Sequence, residues 1–292
     1  MEPPLPELRP SPFPAWTEGR MVPEACFSRA YASLGDRSRS LIKGLIARHY
    51  QLDQPMGPLS WTLDEHYPTM RRESRMAPVS FALLLVDDSM SAPAFLLAAL
   101  IPALCARVPH VLVAWMGSRS AAPDTLLTAC ELAGQERVAA FGPIQVQRLL
   151  DACMADGRPG VVLYPGTAAL ARLLQRPTLA ERLAASTVRL LALRRPWRVA
   201  LWRDTADIPP ADDVSLLYGV LQWETNRPGQ DTHESDWLAF CNAERDLLVC
   251  PDERARQGGA AVTVATGSLG MWRWPGLGPQ AFLVCNEVFS PA

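Results

Sequence analysis

The chain has 292 residues, 49% of them hydrophobic, and a formal net charge of −2. That apolar mass suffices for one large domain or two smaller ones, and the charge gives no general attraction to nucleic acid or an anionic membrane surface. The opening Met-Glu-Pro-Pro-Leu-Pro lacks the basic and apolar regions of a secretory leader. The expectation is a cytoplasmic protein with no nucleic-acid or membrane partner.

Residues 1–24 are rich in proline and read as an extended arm or a flexible tail. Residues 24–50 read as helix, with Leu34, Leu41, Ile42, Leu45 and Ile46 on one apolar face. Residues 51–78, rich in proline and charge, read as irregular. From there the order is apolar run, turn, long apolar helix, short turn, apolar run, which fits a βαβ crossover. The first run is residues 79–86, closed by Asp87-Asp88-Ser89. The helix is residues 92–107, with Pro93 in its first turn. Val111-Leu112-Val113-Ala114-Trp115-Met116 reads as a buried strand.

The alternation continues through helices at 123–133 and 144–154, strands at 138–141 and 161–164, and a helix at 167–174. Runs at 188–193 and 199–202 follow, then a helix at 211–222. Strands apolar on both faces between helices predict an α/β fold with a doubly wound, mainly parallel sheet. Such sheets place ligands at the carboxyl ends of their strands, so residues 87–91 and 117–120 are the first places to look. A polar loop after Trp223 marks the expected boundary. The units are then an N-terminal arm and helix (1–77), a Rossmann-like domain (78–223) and a reduced C-terminal region (224–292).

The seven cysteines are scattered with no CxxC, and the four histidines lack metal-ligand spacing, so no metal site is expected. Lys43 is the one lysine, which leaves no lysine for a Schiff base or a phosphate in the sheet domain. Neither GxGxxG nor GxxxxGK[ST] occurs. Two weaker turns remain, Trp115-Met116-Gly117-Ser118 and Tyr164-Pro165-Gly166-Thr167. Each offers backbone N–H groups to an anion or serves as an ordinary βα turn. Asp87-Asp88 reads as a capped turn or a cation and ribose site. Arg194-Arg195-Pro196-Trp197-Arg198 reads as solvated charge or as a carboxylate or phosphate contact. Met271-Trp272-Arg273-Trp274-Pro275 reads as a loop folded over the sheet edge or as an exposed recognition surface, and in the second case a homodimer is expected.

Landmarks spread over residues 70–292 resemble the aldehyde dehydrogenase superfamily. Thr69-Met70-Arg71-Arg72-Glu73 is similar to the family's entry to its first sheet strand, and Pro93 to the proline of its Trp-Asn-Phe-Pro turn. Residues 111–117 resemble its Val-Val-Leu-Lys-Pro-Ser strand, and Tyr164-Pro165-Gly166-Thr167 its Phe-Thr-Gly-Ser turn. Residues 188–196 stand at its Glu-Leu-Gly-Gly-Lys-Ser-Pro strand. Gly229-Gln230 with Cys241-Asn242-Ala243-Glu244-Arg245 resembles its nucleophile segment, and Asn286-Glu287-Val288-Phe289-Ser290-Pro291 its Glu-Glu-Val-Phe-Gly-Pro. Residues 91–150 also resemble histidinol dehydrogenase.

The resemblance implies a shortened, divergent NAD(P)-binding domain carrying a remnant of the catalytic domain. NAD or NADP would lie against Trp115, Gly117, Ser118, Tyr164, Gly166 and Thr167. Cys241 would attack a small-molecule carbonyl, with His233 and Glu234 or Glu244 as candidate bases if the loop folds back; an alternative alignment puts Thr232 at the nucleophile position. The chain departs from the family where the chemistry lies. Ser91-Ala92 replaces the oxyanion asparagine turn, Trp115 the ribose-binding lysine, and Leu191-Ala192 the general-base glutamate. Two functions are therefore carried forward: an NAD(P)-dependent oxidoreductase, and a catalytically inactive relative that binds a ligand or a protein.

Overall fold

The computed structural model describes residues 10–54, 59–203, 209–226 and 234–291. A 3-10 helix, Ala15–Arg20, precedes α1 (Glu24–Ser33) and α2 (Asp36–Asp53). The single helix expected over 24–50 is therefore two, because Leu34 is extended and Gly35 caps α2. Within residues 51–78, expected to be irregular, β1 (Trp61–His66) and β2 (Met70–Pro78) form a hairpin. Charged side chains occupy both faces of that hairpin, so it shows none of the apolar alternation that marks a half-buried strand.

The crossover region then runs β3 (Phe81–Val86), α3 (Pro93–Cys105), β4 (His110–Trp115), α4 (Asp124–Leu132) and β5 (Val138–Ala140). It continues through α5 (Pro143–Asp156), β6 (Gly160–Pro165), α6 (Ala168–Leu174), α7 (Pro177–Ala184) and β7 (Val188–Leu193). These five strands form one parallel sheet in the order β5-β4-β3-β6-β7. Every residue of β3 is buried. Leu84 and Val86 face a core shared with α2, α3 and α4. Phe81, Leu83 and Leu85 face the opposite core, with α5, α6 and α7. Period-2 geometry sends apolar side chains to both faces, and helices cover both, as expected of a doubly wound sheet.

The N-terminal segment is no free arm from residue 10 onward. Phe13 packs edge-on against Phe81, and Val22 N donates to Val138 O at 2.8 Å.

Beyond β7 come β8 (Val199–Leu201), α8 (Ala211–Tyr218), β9 (Trp223–Thr225), α9 (Glu234–Cys241), β10 (Leu247–Cys250) and β11 (Val262–Ala265). They build a second parallel sheet, ordered β11-β10-β8-β9. The change of sheet thus falls between β7 and β8, ahead of the boundary expected at 224. Val199 pairs with Leu247 and Trp223, so strand pairing and not the polar loop decides where β8 belongs. One face of this sheet joins the core under α3; the other forms a small cluster of Trp202, Trp237, Cys241, Leu248 and Cys250. Finally β12 (Leu283–Pro291) returns to pair antiparallel with β2.

Trp272 and Trp274 are buried, 4% and 2% exposed, and both contact Phe95 of α3. They are a strap over the core, which removes the exposed tryptophan surface behind the homodimer expectation.

Candidate functional site

From β3 the chain moves to β4 on one side; from β6 it moves to β7 on the other. The loops leaving β3 and β6 therefore diverge, and a crevice opens at their carboxyl ends. It is a cleft of about 600 Å³, lined by Asp87, Asp88, Ser89, Ser91 and Ala92 after β3, Thr167 after β6 and Arg195 after β7. Thr125 of α4 and Ser215, Leu216, Tyr218, Gly219 and Val220, at the end of α8 and just beyond it, complete the wall.

Local chemistry shapes each wall. Asp87 accepts hydrogen bonds from the backbone N–H of Ser89, at 3.0 Å, and from its hydroxyl, and its carbonyl accepts Met90 N–H. This Asx turn brings the chain away from the sheet. Ala92 is extended and Pro93 takes the first helical position, so α3 starts at the rim. Opposite, Gly219 ends α8 with a φ of 69°, and a Cβ there would lie 3.3 Å from Ala92 Cβ. Glycine is needed there for the left-handed turn and for the close approach. Arg37 of α2 donates Nε and Nη2 to Asp213, which fixes α8 against the sheet domain.

Arg195 Nη2 donates to Val220 O at 2.6 Å, while its buried Nε has no protein partner. Burial lowers its pKa, and the nearby Asp87 carboxylate opposes that shift. The Thr167 hydroxyl is likewise buried without a partner. Two polar groups with unused hydrogen-bonding capacity therefore line one crevice, although buried polar groups are normally satisfied. Among the described residues, the lining contains no cysteine, histidine or lysine.

Of the six residues expected to hold a cofactor, Thr167 lines the cleft. Trp115 is a core residue whose indole packs under Gly117, where a Cβ would sit 2.6 Å from Nε1. Gly117 and Ser118 are exposed, and Ser118 pairs its hydroxyl with Ser120 at 3.2 Å. Tyr164 packs against the α5 side of the core, and Gly166 N–H donates to Leu193 O at 2.9 Å. Cys241 is 1% exposed beside Trp202 and Trp237, and its Sγ donates to Leu238 O at 3.5 Å. Glu244 is exposed and pairs with Arg198. His233 and Thr232 lie outside the described residues.

Sequence reasoning reached residues 87–91 and Thr167 through the strand-end rule, and noticed Arg195 within a basic run. It missed Thr125, Ser215, Tyr218 and Gly219; the glycine closing a helix was the available signal. Among the described residues, no group of three or more His, Cys, Asp or Glu side chains is placed to hold a metal ion, and no helix is long and apolar enough to cross a membrane.

No family model matches the chain, and no curated protein sequence matches it. Among solved structures, histidinol dehydrogenase from Elizabethkingia anophelis is similar with a TM-score of 0.54 at 14% identity, over 94% of this chain and 77% of that one. Succinate-semialdehyde dehydrogenase from Burkholderia pseudomallei gives 0.44 at 10% identity, over 88% and 77%. NAD-dependent benzaldehyde dehydrogenase from Corynebacterium glutamicum gives 0.43 at 8% identity, over 88% and 76%. The first likeness establishes a shared fold, and it supports the fold-level part of the resemblance read from the sequence.

Proposed function

We propose that this protein binds a small polar ligand bearing one anionic group in the crevice at the ends of β3, β6 and β7, without thiol catalysis by Cys241. The observation that carries this reading is that Arg195 and Thr167, each with a buried polar atom (Nε and Oγ1) lacking a protein partner, line the same cleft. A guanidinium meets carboxylate or phosphate oxygens with charge-assisted bonds, and the hydroxyl fixes orientation. Asp87 and Asp88 on the same wall favour a ligand that also carries hydroxyl or amino donors.

The lining does not fit a dinucleotide. One guanidinium faces two carboxylates, and five of the six positions expected to hold NAD or NADP lie outside the lining. A carbonyl compound with a carboxylate remains within the ligand class; its oxidation through Cys241 would need a thiol that reaches the cleft.

The test is calorimetric titration with lactate, glycerol 3-phosphate, NADH and NADPH, the first two each carrying one anionic group and hydroxyl donors. At least one small acid is expected to bind, and Arg195→Ala is expected to weaken it by about tenfold or more. NADPH or NADH binding together with aldehyde oxidation lost in Cys241→Ser would overturn this reading in favour of the oxidoreductase. Failure of both small acids to bind would also overturn it.

A further inference from the structure

We propose that a second pocket, on the outer edge of the parallel sheet, binds the phosphate chain of a small polyphosphate. It encloses about 450 Å³ and is lined by Trp16, Gly19, Arg20, Arg119, Gln145 and Arg148. None of these residues lines the cleft described above.

Three elements meet there: the N-terminal 3-10 helix, the turn after β4 and the first two turns of α5. Their placement is fixed by packing. Trp16 stands edge-on to Phe141 at 5.8 Å, Arg119 Nη1 donates to Gly19 O at 3.3 Å, and Met21 bridges Ala139 of β5. Arg148 lies over the Trp16 ring at 5.3 Å, so the indole holds a guanidinium at the rim.

The charge balance is what singles this pocket out. Several arginines elsewhere are matched with carboxylates, among them Arg37 with Asp213, Arg158 with Asp156, Arg182 with Asp151 and Arg273 with Asp53. Arg20, Arg119 and Arg148 converge on one concavity whose lining, among the described residues, has no carboxylate. None of the three pairs with a carboxylate among the described residues. The nearby Glu18 carboxylate is already engaged by Arg137 at 2.7 Å. An anion with several charges matches three guanidiniums on one concavity and accepts forked hydrogen bonds from them. The amino end of α5, a helix of 14 residues, adds a favourable dipole.

The size and the aromatic geometry narrow the ligand. The pocket accommodates two or three phosphoryl groups, not a nucleic-acid backbone. Arg148 covers one Trp16 face and Phe141 meets the indole, so recognition falls on the phosphates and ignores any attached base.

The test is calorimetry on the full chain with inorganic tripolyphosphate, ATP and GTP at low salt. All three are expected to bind one site, ATP and GTP within about twofold of each other, with affinity falling steeply as salt rises. Arg119→Gln and Arg148→Gln, both exposed positions, are each expected to lose about tenfold. Arg182→Gln, whose partner is Asp151, should change nothing. The proposal is overturned if tripolyphosphate gives no heat at millimolar concentration, or if its binding survives both substitutions together. Binding of ATP and GTP without tripolyphosphate would overturn the base-blind site. Because Arg195 is untouched, small-acid binding in the cleft succeeds or fails separately.

Discussion

Two sheets of this protein are held together by different physics. In the five-stranded parallel sheet, β3 is buried along its whole length and both faces meet apolar helices. In the three-stranded antiparallel sheet, β12 is mostly exposed, and Arg72 bridges Glu65 on one neighbouring strand and Glu287 on the other. The first is stabilised by area removed from water, the second by backbone pairing and screened charge. Only the first supports a crevice, because its rigid, covered strands end together and leave polar loops at one rim.

The largest test of that contrast is Phe81→Ala. The Phe81 ring lies over Gly160, where a Cβ would come within 2.1 Å of it, and it is fully buried. Truncation is expected to cost about 3–5 kcal/mol in urea unfolding. A loss under 1 kcal/mol would mean the sheet does not depend on this packing.

Acid gives the next effect. His49 of α2 is fully buried with neither ring nitrogen partnered, close to Arg273, and burial first and then that arginine lower its pKa from 6.5 to about 4. The unfolded chain binds the proton first, so stability is full above pH 6.5 and is lost as the pH falls toward 4. A shift of that size corresponds to about 3 kcal/mol. His49→Leu should flatten the melting temperature between pH 6.5 and 4; an unchanged acid slope would place its origin elsewhere. Arg273 also donates to buried Asp53 at 2.6 Å, and that pair stays in place in the variant.

The smallest effect belongs to the antiparallel sheet. Arg72→Ala should lower the melting temperature only slightly, and 1 M NaCl should erase the difference from the unsubstituted protein. A large, salt-independent loss would show that burial matters there too.

The same contrast explains what the sequence made legible. β3, α3 and β4 are apolar on every side, so residue type alone announces covered strands and a buried helix. Met70-Arg71-Arg72-Glu73-Ser74-Arg75 carries no such pattern, since its charged side chains pair with Asp64 and Glu65 of the adjacent β1 and with Glu287 of β12, which lies far away in sequence. The turn at Asp87–Ser89 was readable because it follows a strand. Arg195 was ambiguous, because whether a guanidinium is solvated depends on α8 folding back so that Val220 meets it. Cys241 drew attention through its neighbours Asn242 and Glu244, but its surroundings are set by Trp202 and Trp237, which sequence proximity does not reveal.

The most direct test of the central claim is competitive alkylation of the folded protein, with each cysteine quantified by mass spectrometry. Cys285 is exposed and Cys241 is buried among tryptophans. The expected result is rapid modification of Cys285 and slow modification of Cys241, with small-acid binding in the cleft unchanged after Cys285 is blocked. Cys241 reacting faster than Cys285, and protected by NAD or NADP, would contradict a ligand-binding role without thiol chemistry.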